Sequence, residues 1–337
     1  METTLAPRLG RGLAVVDDEH TLSELVKQAM RDTTDPRLRQ VVDALVDHLH
    51  AFLREVRPSD EEFEFGLRFV AALGHATNAT NNEVVLAADV LGLSTLVTLM
   101  NNGSTGGRTP GALLGPFYRG GAPTYECGDC VVQGETPGLP LFVSGQVRNT
   151  AGEPLAGALV EAWQASPVGL YDNQDPAQPD KNLRGAFRTD AQGAFHFRSV
   201  RPAGYPVPTG GPVGQLLAEQ NRHPYRPAHI HFIAAAPGYR TLVTQVFADD
   251  SEHLESDVTF GVHRELVGHF RRVDEGTSPW GGFPAPFYTL DFTAIPHRSR
   301  AWPMTCSAST AASTCWSTAR ALPGRSRMPT SMRWTMR

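Results

Sequence analysis

The chain changes its rule once, at Asn101-Asn102-Gly103-Ser104. Before that point apolar residues recur every three or four positions, the spacing of helices that bury one face. After it glycine and proline become frequent, and short apolar runs alternate with polar residues between turns, the spacing of strands. Strands that follow one another without intervening helices must cover their apolar faces with each other. The expected fold class is therefore mainly β: a β-sandwich core preceded by an N-terminal α-helical layer.

Residues 1–18 read as loose, and residues 20–57 as two helices. Asp35-Pro36 supplies an N-cap followed by proline at the first helical position. Val41, Val42, Leu45, Val46, Leu49, Phe52 and Leu53 then recur at helical spacing. Ser59 with Glu62 makes a capping box that opens a third helix. A fourth is expected from about Glu83 to Met100. Apolar faces this wide must pack on a sheet domain or on a second subunit. Asp89 breaks the pattern, because Val85, Leu86, Leu93 and Leu96 share its face. A carboxylate there is costly unless partnered, either by a neighbouring backbone amide or by a ligand.

Residues 140–148 and 155–166 alternate as strands around a turn at 150–154. Residues 187–189 and 194–200 flank Asp190-Ala191-Gln192-Gly193, and residues 226–236 and 241–248 flank Pro237-Gly238. The strands end near Ile295. Residues 297–337 carry seven arginines and no Asp, Glu or Lys, which leaves residues 1–296 with 23 basic against 35 acidic residues, a net of −12. So acidic a body does not present a nucleic-acid surface. The tail also holds three of the five Trp, four of the seven Met and two of the four Cys, without periodicity. It reads as a disordered or frame-shifted tail rather than a basic arm. Cys127 and Cys130 form a single C-x-x-C with no second pair and no matching His pair, so they receive no role. No stretch approaches a membrane span, and acids occupy the first thirty residues where a signal peptide needs an apolar run. The expected compartment is cytoplasmic.

Two histidines carry the chemistry. In Arg226-Pro227-Ala228-His229-Ile230-His231 an extended backbone puts His229 and His231 on one face and Ile230 on the other. Pro227 favours extended backbone in Arg226. Tyr171 and Tyr205 both follow strand ends, where sites are built on rigid scaffolds. Two readings are open on the residues alone. Gly145-Gln146-Val147, Pro154-Leu155-Ala156-Gly157-Ala158 and Thr189-Asp190-Ala191-Gln192-Gly193 resemble a prealbumin-like, non-enzymatic sandwich. That reading explains the strands but not the helices, the His pair or the tyrosines. A metal enzyme explains them: two phenolates with two imidazoles form a hard, anionic set that suits ferric iron better than zinc or copper.

Four stretches together resemble the intradiol ring-cleaving dioxygenases: Leu114-Gly115-Pro116-Phe117-Tyr118, Gly169-Leu170-Tyr171-Asp172, Arg201-Pro202-Ala203-Gly204-Tyr205-Pro206-Val207-Pro208, and His223-Pro224-Tyr225-Arg226-Pro227-Ala228-His229-Ile230-His231-Phe232. The likeness runs from about residue 20 to 296 in the family's order and spacing. It implies one Fe(III) per subunit, held by Tyr171, Tyr205, His229 and His231 with hydroxide in the fifth position. A catecholic substrate must lose two protons; the resemblance implies that hydroxide takes one and Tyr205 the other. Arg226 is implied to stabilise charge developing on the substrate, and Gln245 to orient the site. Leu86, Asp89, Leu113, Leu114, Gly115, Pro116 and Val258 match substrate-lining positions. O2 is the second substrate.

Three features place the chain nearer the hydroxyquinol branch than the catechol branch. The run Gly211-Pro212-Val213-Gly214-Gln215-Leu216-Leu217 before the His motif resembles the former. Val258 stands where the catechol branch carries a larger aromatic residue. Asp89 could accept a hydrogen bond from a third hydroxyl. The resemblance also implies a homodimer built through the N-terminal helices, with bound phospholipid there. The expected domains are 1–105 helical, 106–296 catalytic sandwich, and 297–337 tail.

Overall fold

The computed structural model describes residues 15–78, 80–102 and 107–296. The start of the loose segment, Gly103-Ser104 and the tail with Cys306 and Cys315 lie outside the described residues. The chain forms two compact units, Met1–Ala71 and Ala72–Arg337. The helical stretch expected as one layer through residue 105 is thus shared between them.

The first unit holds α1 (Thr21–Ala29), α2 (Pro36–Val56) and most of α3 (Asp60–Ala76). Asp35 caps α2 as expected, its side chain accepting from the Arg37 and Leu38 amides at 2.8 and 3.1 Å. The capping box also forms: the Ser59 amide donates to Glu62 at 2.8 Å and the Glu62 amide to Ser59 Oγ at 3.3 Å. Polar contacts join α1 to α2, including Ser23 Oγ with His50 Nδ1 at 2.9 Å and Lys27 with Asp47 at 2.8 Å. The apolar stripe of α2 faces solvent. Leu38, Val41, Leu45, Leu49, Phe52 and Val56 are all exposed, and no side chain of this helix is buried. Phe63, Leu67 and Val70 extend α3 in the same way.

In the second unit the fourth helix is two. α4 (Glu83–Val90) and α5 (Leu93–Asn102) meet at a 72° bend. Gly92 sits at the break with φ +73°, in the left-handed region that favours glycine. The bend separates the face expected around Asp89: Leu86 and Asp89 are buried, whereas Leu93 and Leu96 are exposed. Buried Glu83 accepts from the Val213 amide at 2.9 Å. That residue lies in the first turn of α6 (Pro212–Glu219), where a carboxylate complements the helix dipole. This helix within the strand region was not expected.

The sandwich packs two sheets. One, ordered β10-β11-β1-β4, contains β1 (Pro140–Val147), β4 (Ala194–Val200), β10 (Arg271–Val273) and β11 (Phe287–Ala294). The other, ordered β3-β2-β7-β8-β9, contains β2 (Leu159–Gln164), β3 (Arg184–Arg188), β7 (His229–Ala235), β8 (Leu242–Ala248) and β9 (Val267–Gly268). A ribbon of β5 (Tyr205–Pro206) and β6 (Tyr225–Arg226) completes the set. The sheets share one core in which Leu141, Val143, Phe195 and Phe197 meet Val160, Ile230, Phe232 and Val246. Each such side chain stabilises by roughly 1.5–3 kcal/mol relative to exposure. β7 lies at the centre of its sheet, antiparallel to β2 and β8. It therefore holds its side chains on a backbone bonded along both edges.

Candidate metal centre

The alternation of β7 divides its residues as the sequence predicts. Ile230 and Phe232 enter the core between the sheets. His229 and His231 take the opposite face and are also buried. Tyr205 joins them from the ribbon, where it pairs with Arg226, and Tyr171 from the loop after β2. The four side-chain donor atoms converge. His231 Nε2 lies 3.1 Å from both His229 Nε2 and Tyr171 Oη, and Tyr171 Oη lies 3.3 Å from Tyr205 Oη.

Those separations suit donors sharing one metal. At metal–ligand distances of about 2.0–2.2 Å, ligands at right angles stand about 3 Å apart. The protonation states agree. His229 Nδ1 donates to the Pro227 carbonyl at 2.7 Å, which leaves a lone pair on Nε2. His231 Nδ1 lies 3.2 Å from Gln245 Nε2, which leaves His231 Nε2 turned toward the other donors. Burial, followed by the Arg226 charge, pushes His229 down to about 3. Burial and His229 put His231 well below its ordinary range, so both imidazoles are neutral. Burial likewise raises both phenols, Tyr171 further through Tyr205. A small, highly charged cation held here would draw both phenols to the phenolate form. Among the described residues no three His, Cys, Asp or Glu side chains cluster for a metal. The convergence here is of phenols with imidazoles.

Arg226 stands beside this set, its Nη1 donating to His229 Nε2 at 3.2 Å. Asp257 holds it from behind, accepting from Nε at 3.1 Å and Nη2 at 3.2 Å. Gln245 Oε1 accepts from Nη2 at 3.0 Å, and Gln245 Nε2 donates to the Leu113 carbonyl at 2.7 Å. Asp257 also accepts from Thr259 Oγ1 at 3.0 Å and the Gly261 amide at 2.8 Å. Burial pushes the Asp257 carboxyl up, but the guanidinium and these bonds outweigh it and hold the group below the usual range. Asp257 was not anticipated; its only sequence signal is an acid directly before Val258. Trp163 was also missed. It stacks on His231 at 4.7 Å and 10° and fixes the plane of that ring.

The expected substrate-lining residues divide. Leu86, Asp89, Leu113 and Val258 are buried. Arg222 donates to the carbonyls of Val90 and Val258, both at 2.9 Å, which brings the end of α4 to Val258. The Ser94 side chain stands within bonding reach of Asp89. Burial raises its carboxyl, and the charges of Arg226 and Asp257 reach it. Gly115, at φ +75°, passes so close that a Cβ there would lie 3.4 Å from His231 Cε1. Pro116 is half-buried, and Leu114 is exposed. A cavity of about 500 Å³ opens beside Asp257 and Val258, lined also by Arg222, His223, Leu254 and Phe260.

Comparison with known proteins bears on this geometry. Residues 113–293 match the family described as "Dioxygenase", and residues 35–109 the "Catechol dioxygenase N terminus". A 6-chlorohydroxyquinol 1,2-dioxygenase of Cupriavidus pinatubonensis is 42% identical over 82% of this chain and 97% of its own length. A catechol 1,2-dioxygenase of Candida albicans is 38% identical over 75% of this chain and 84% of its own. The crystal structure of hydroxyquinol 1,2-dioxygenase from Pseudomonas putida DLL-E4 superposes with TM-score 0.78 at 35% identity, covering 83% of this chain and 99% of that one. Sequence match, shared fold and a buried set of two tyrosines and two histidines agree, and the chain belongs to the intradiol ring-cleaving dioxygenases.

Proposed function

We propose that the protein opens hydroxyquinol, benzene-1,2,4-triol, between its adjacent hydroxylated carbons. Both atoms of O2 enter the product, 3-hydroxy-cis,cis-muconate or its tautomer maleylacetate. The observation that carries this reading is the convergence of Tyr171, Tyr205, His229 and His231 within 3.1–3.3 Å contacts. These residues would hold one Fe(III) per subunit, which supplies Lewis acidity that favours the doubly deprotonated substrate and its reaction with O2.

The chain's own groups do the rest. Tyr205 Oη, a phenolate when the metal is held, would take one of the substrate's two hydroxyl protons and the metal's hydroxide the other, so no further base is required. Arg226, fixed by Asp257 and Gln245, places a permanent positive charge where negative charge develops on the ring. Gln245 anchors the loop at Leu113 and with it the approach to His231. Phe117, stacked 4.9 Å from Tyr171, keeps water from that phenol.

Asp89 and Val258 support the triol as substrate. A buried carboxylate within reach of the Arg226 charge can accept from a third hydroxyl, and the small valine leaves room for it. A site built to bond a hydroxyl rejects the analogue lacking it, because its own polar group is left unpaired. The relatives from Cupriavidus and Pseudomonas carry hydroxyquinol in their names. Cleavage of catechol to cis,cis-muconate is the second reading, favoured by the Candida relative. Oxygen uptake with both substrates decides between them. Hydroxyquinol should show much the higher kcat/KM, and Asp89→Ala should narrow the gap. Equal turnover of catechol by wild type would transfer the protein to the catechol branch.

The exposed apolar stripes of α2 and α3 support a homodimer in which these helices meet a second copy and phospholipid acyl chains. A cytoplasmic location is part of the same reading.

A further inference from the structure

One row of the five-stranded sheet runs through the metal centre. Arg184 on β3 pairs with Trp163 on β2, Trp163 with His231 on β7, and His231 with Gln245 on β8. All four are buried. Gln245 and Trp163 each touch His231. Arg184 closes the far end of the row and turns to a different ligand. Its Cζ lies 5.8 Å from the centre of the Tyr171 ring. Its Nε donates to Asp172 Oδ1 at 2.6 Å, and Asp172 directly follows Tyr171. The Lys181 amide donates to the same carboxylate at 3.0 Å, and Arg119 Nη1 also bonds it. One buried carboxylate thus serves two guanidiniums. Arg119 is partly exposed and also bonds Asp180, so solvent and a second acid screen it. Arg184 is 1% exposed, and its charge stays beside Tyr171.

We propose that Arg184 is a positioning residue of the metal centre that fixes the Tyr171 loop and tunes the electron-donor strength of the Tyr171 phenolate. The inference rests on the reading that Tyr171 is a metal ligand. A fixed cation beside a buried ring acts at low dielectric, where its effect is far larger than in water. It lowers the energy of the phenolate's donor electrons. Through Asp172 it also bolts the loop bearing Tyr171 to strand β3. A merely structural ion pair would do only the second.

The two roles separate in the visible spectrum of the iron-loaded protein, where a phenolate-to-ferric charge-transfer band reports donor energy directly. Arg184→Gln keeps a donor for Asp172 and removes the charge; Arg184→Lys keeps the charge. The expected result is a band in wild type, a shift to longer wavelength in Arg184→Gln, and a near-wild-type band in Arg184→Lys. Circular dichroism establishes that each variant is folded. A folded, iron-loaded Arg184→Gln with an unshifted band would overturn the proposal, as would Arg184→Lys displaced as far as Arg184→Gln. If Arg184→Gln does not fold, Arg184→Lys decides alone: a band at the wild-type position supports the proposal and a displaced band overturns it. Iron-loaded wild type without a band removes the tyrosine-ligand reading itself and the proposal with it, a failure visible before any variant is made.

Discussion

The helices of the first unit and the sheets of the second treat apolar surface in opposite ways. In α2 the whole stripe from Leu38 to Val56 stands in solvent, with Leu49 51% exposed and Phe52 56%. In the sandwich Phe197, Ile230 and Phe232 are at most 1% exposed, and the face of β7 that carries His229 and His231 is buried as well. Contiguous exposed apolar surface of that kind marks an interaction site. The sandwich thus buries its core within one chain, whereas the apolar stripe of α2 stays uncovered and is what the proposed dimer would cover.

The largest expected effects lie in the buried site. Tyr171→Phe and His229→Ala should each reduce stoichiometric iron binding or oxygen uptake to background, because no member of the four-donor set is spare. Wild-type behaviour with either change would remove that residue from the set. Next comes a direct test of the contrast. Phe232→Ala should cost about 3–5 kcal/mol in denaturant unfolding, the range for emptying a filled core position. Leu49→Ala should cost less than about 0.5 kcal/mol in the monomer, as for a surface substitution. Leu49→Asp should nevertheless convert a dimer to monomer by light scattering. A monomeric wild type at working concentration would break the comparison on the helical side. The smallest effect is expected from removing residues 297–337. The described sandwich closes at β11, where the Ile295 amide donates to Thr109 Oγ1 at 2.8 Å. Activity and Tm should stay nearly unchanged; a large loss of Tm would show that the tail packs.

What was legible in the sequence was local. The cap at Asp35 is read from two residues and the capping box at Ser59 from four, and both form. The facing of His229 and His231 follows from the two-residue period of a strand. The break at Gly92 was not legible, because one glycine within an apolar run does not announce a 72° turn. A last strand ending near Ile295 was expected, but not its pairing: β11 runs parallel to β1, from the other end of the sandwich sequence. Pairings across so much chain leave no periodic trace. The same holds within the site. Tyr171, Tyr205 and the two histidines were named through their motifs, but Asp257, Trp163 and Arg184 owe their roles to neighbours brought in by the sheet. A buried arginine needs a partner, so Arg226 required an acid; only the fold shows which.

The central claim, that buried phenols and imidazoles together hold ferric iron, has one direct measurement. The protein is purified, its iron content determined, and its visible absorption recorded before and after removal of the metal. The account predicts about one iron per chain and a phenolate-to-iron charge-transfer band that vanishes with the metal and returns on reloading. A sample replete in iron yet colourless would contradict it.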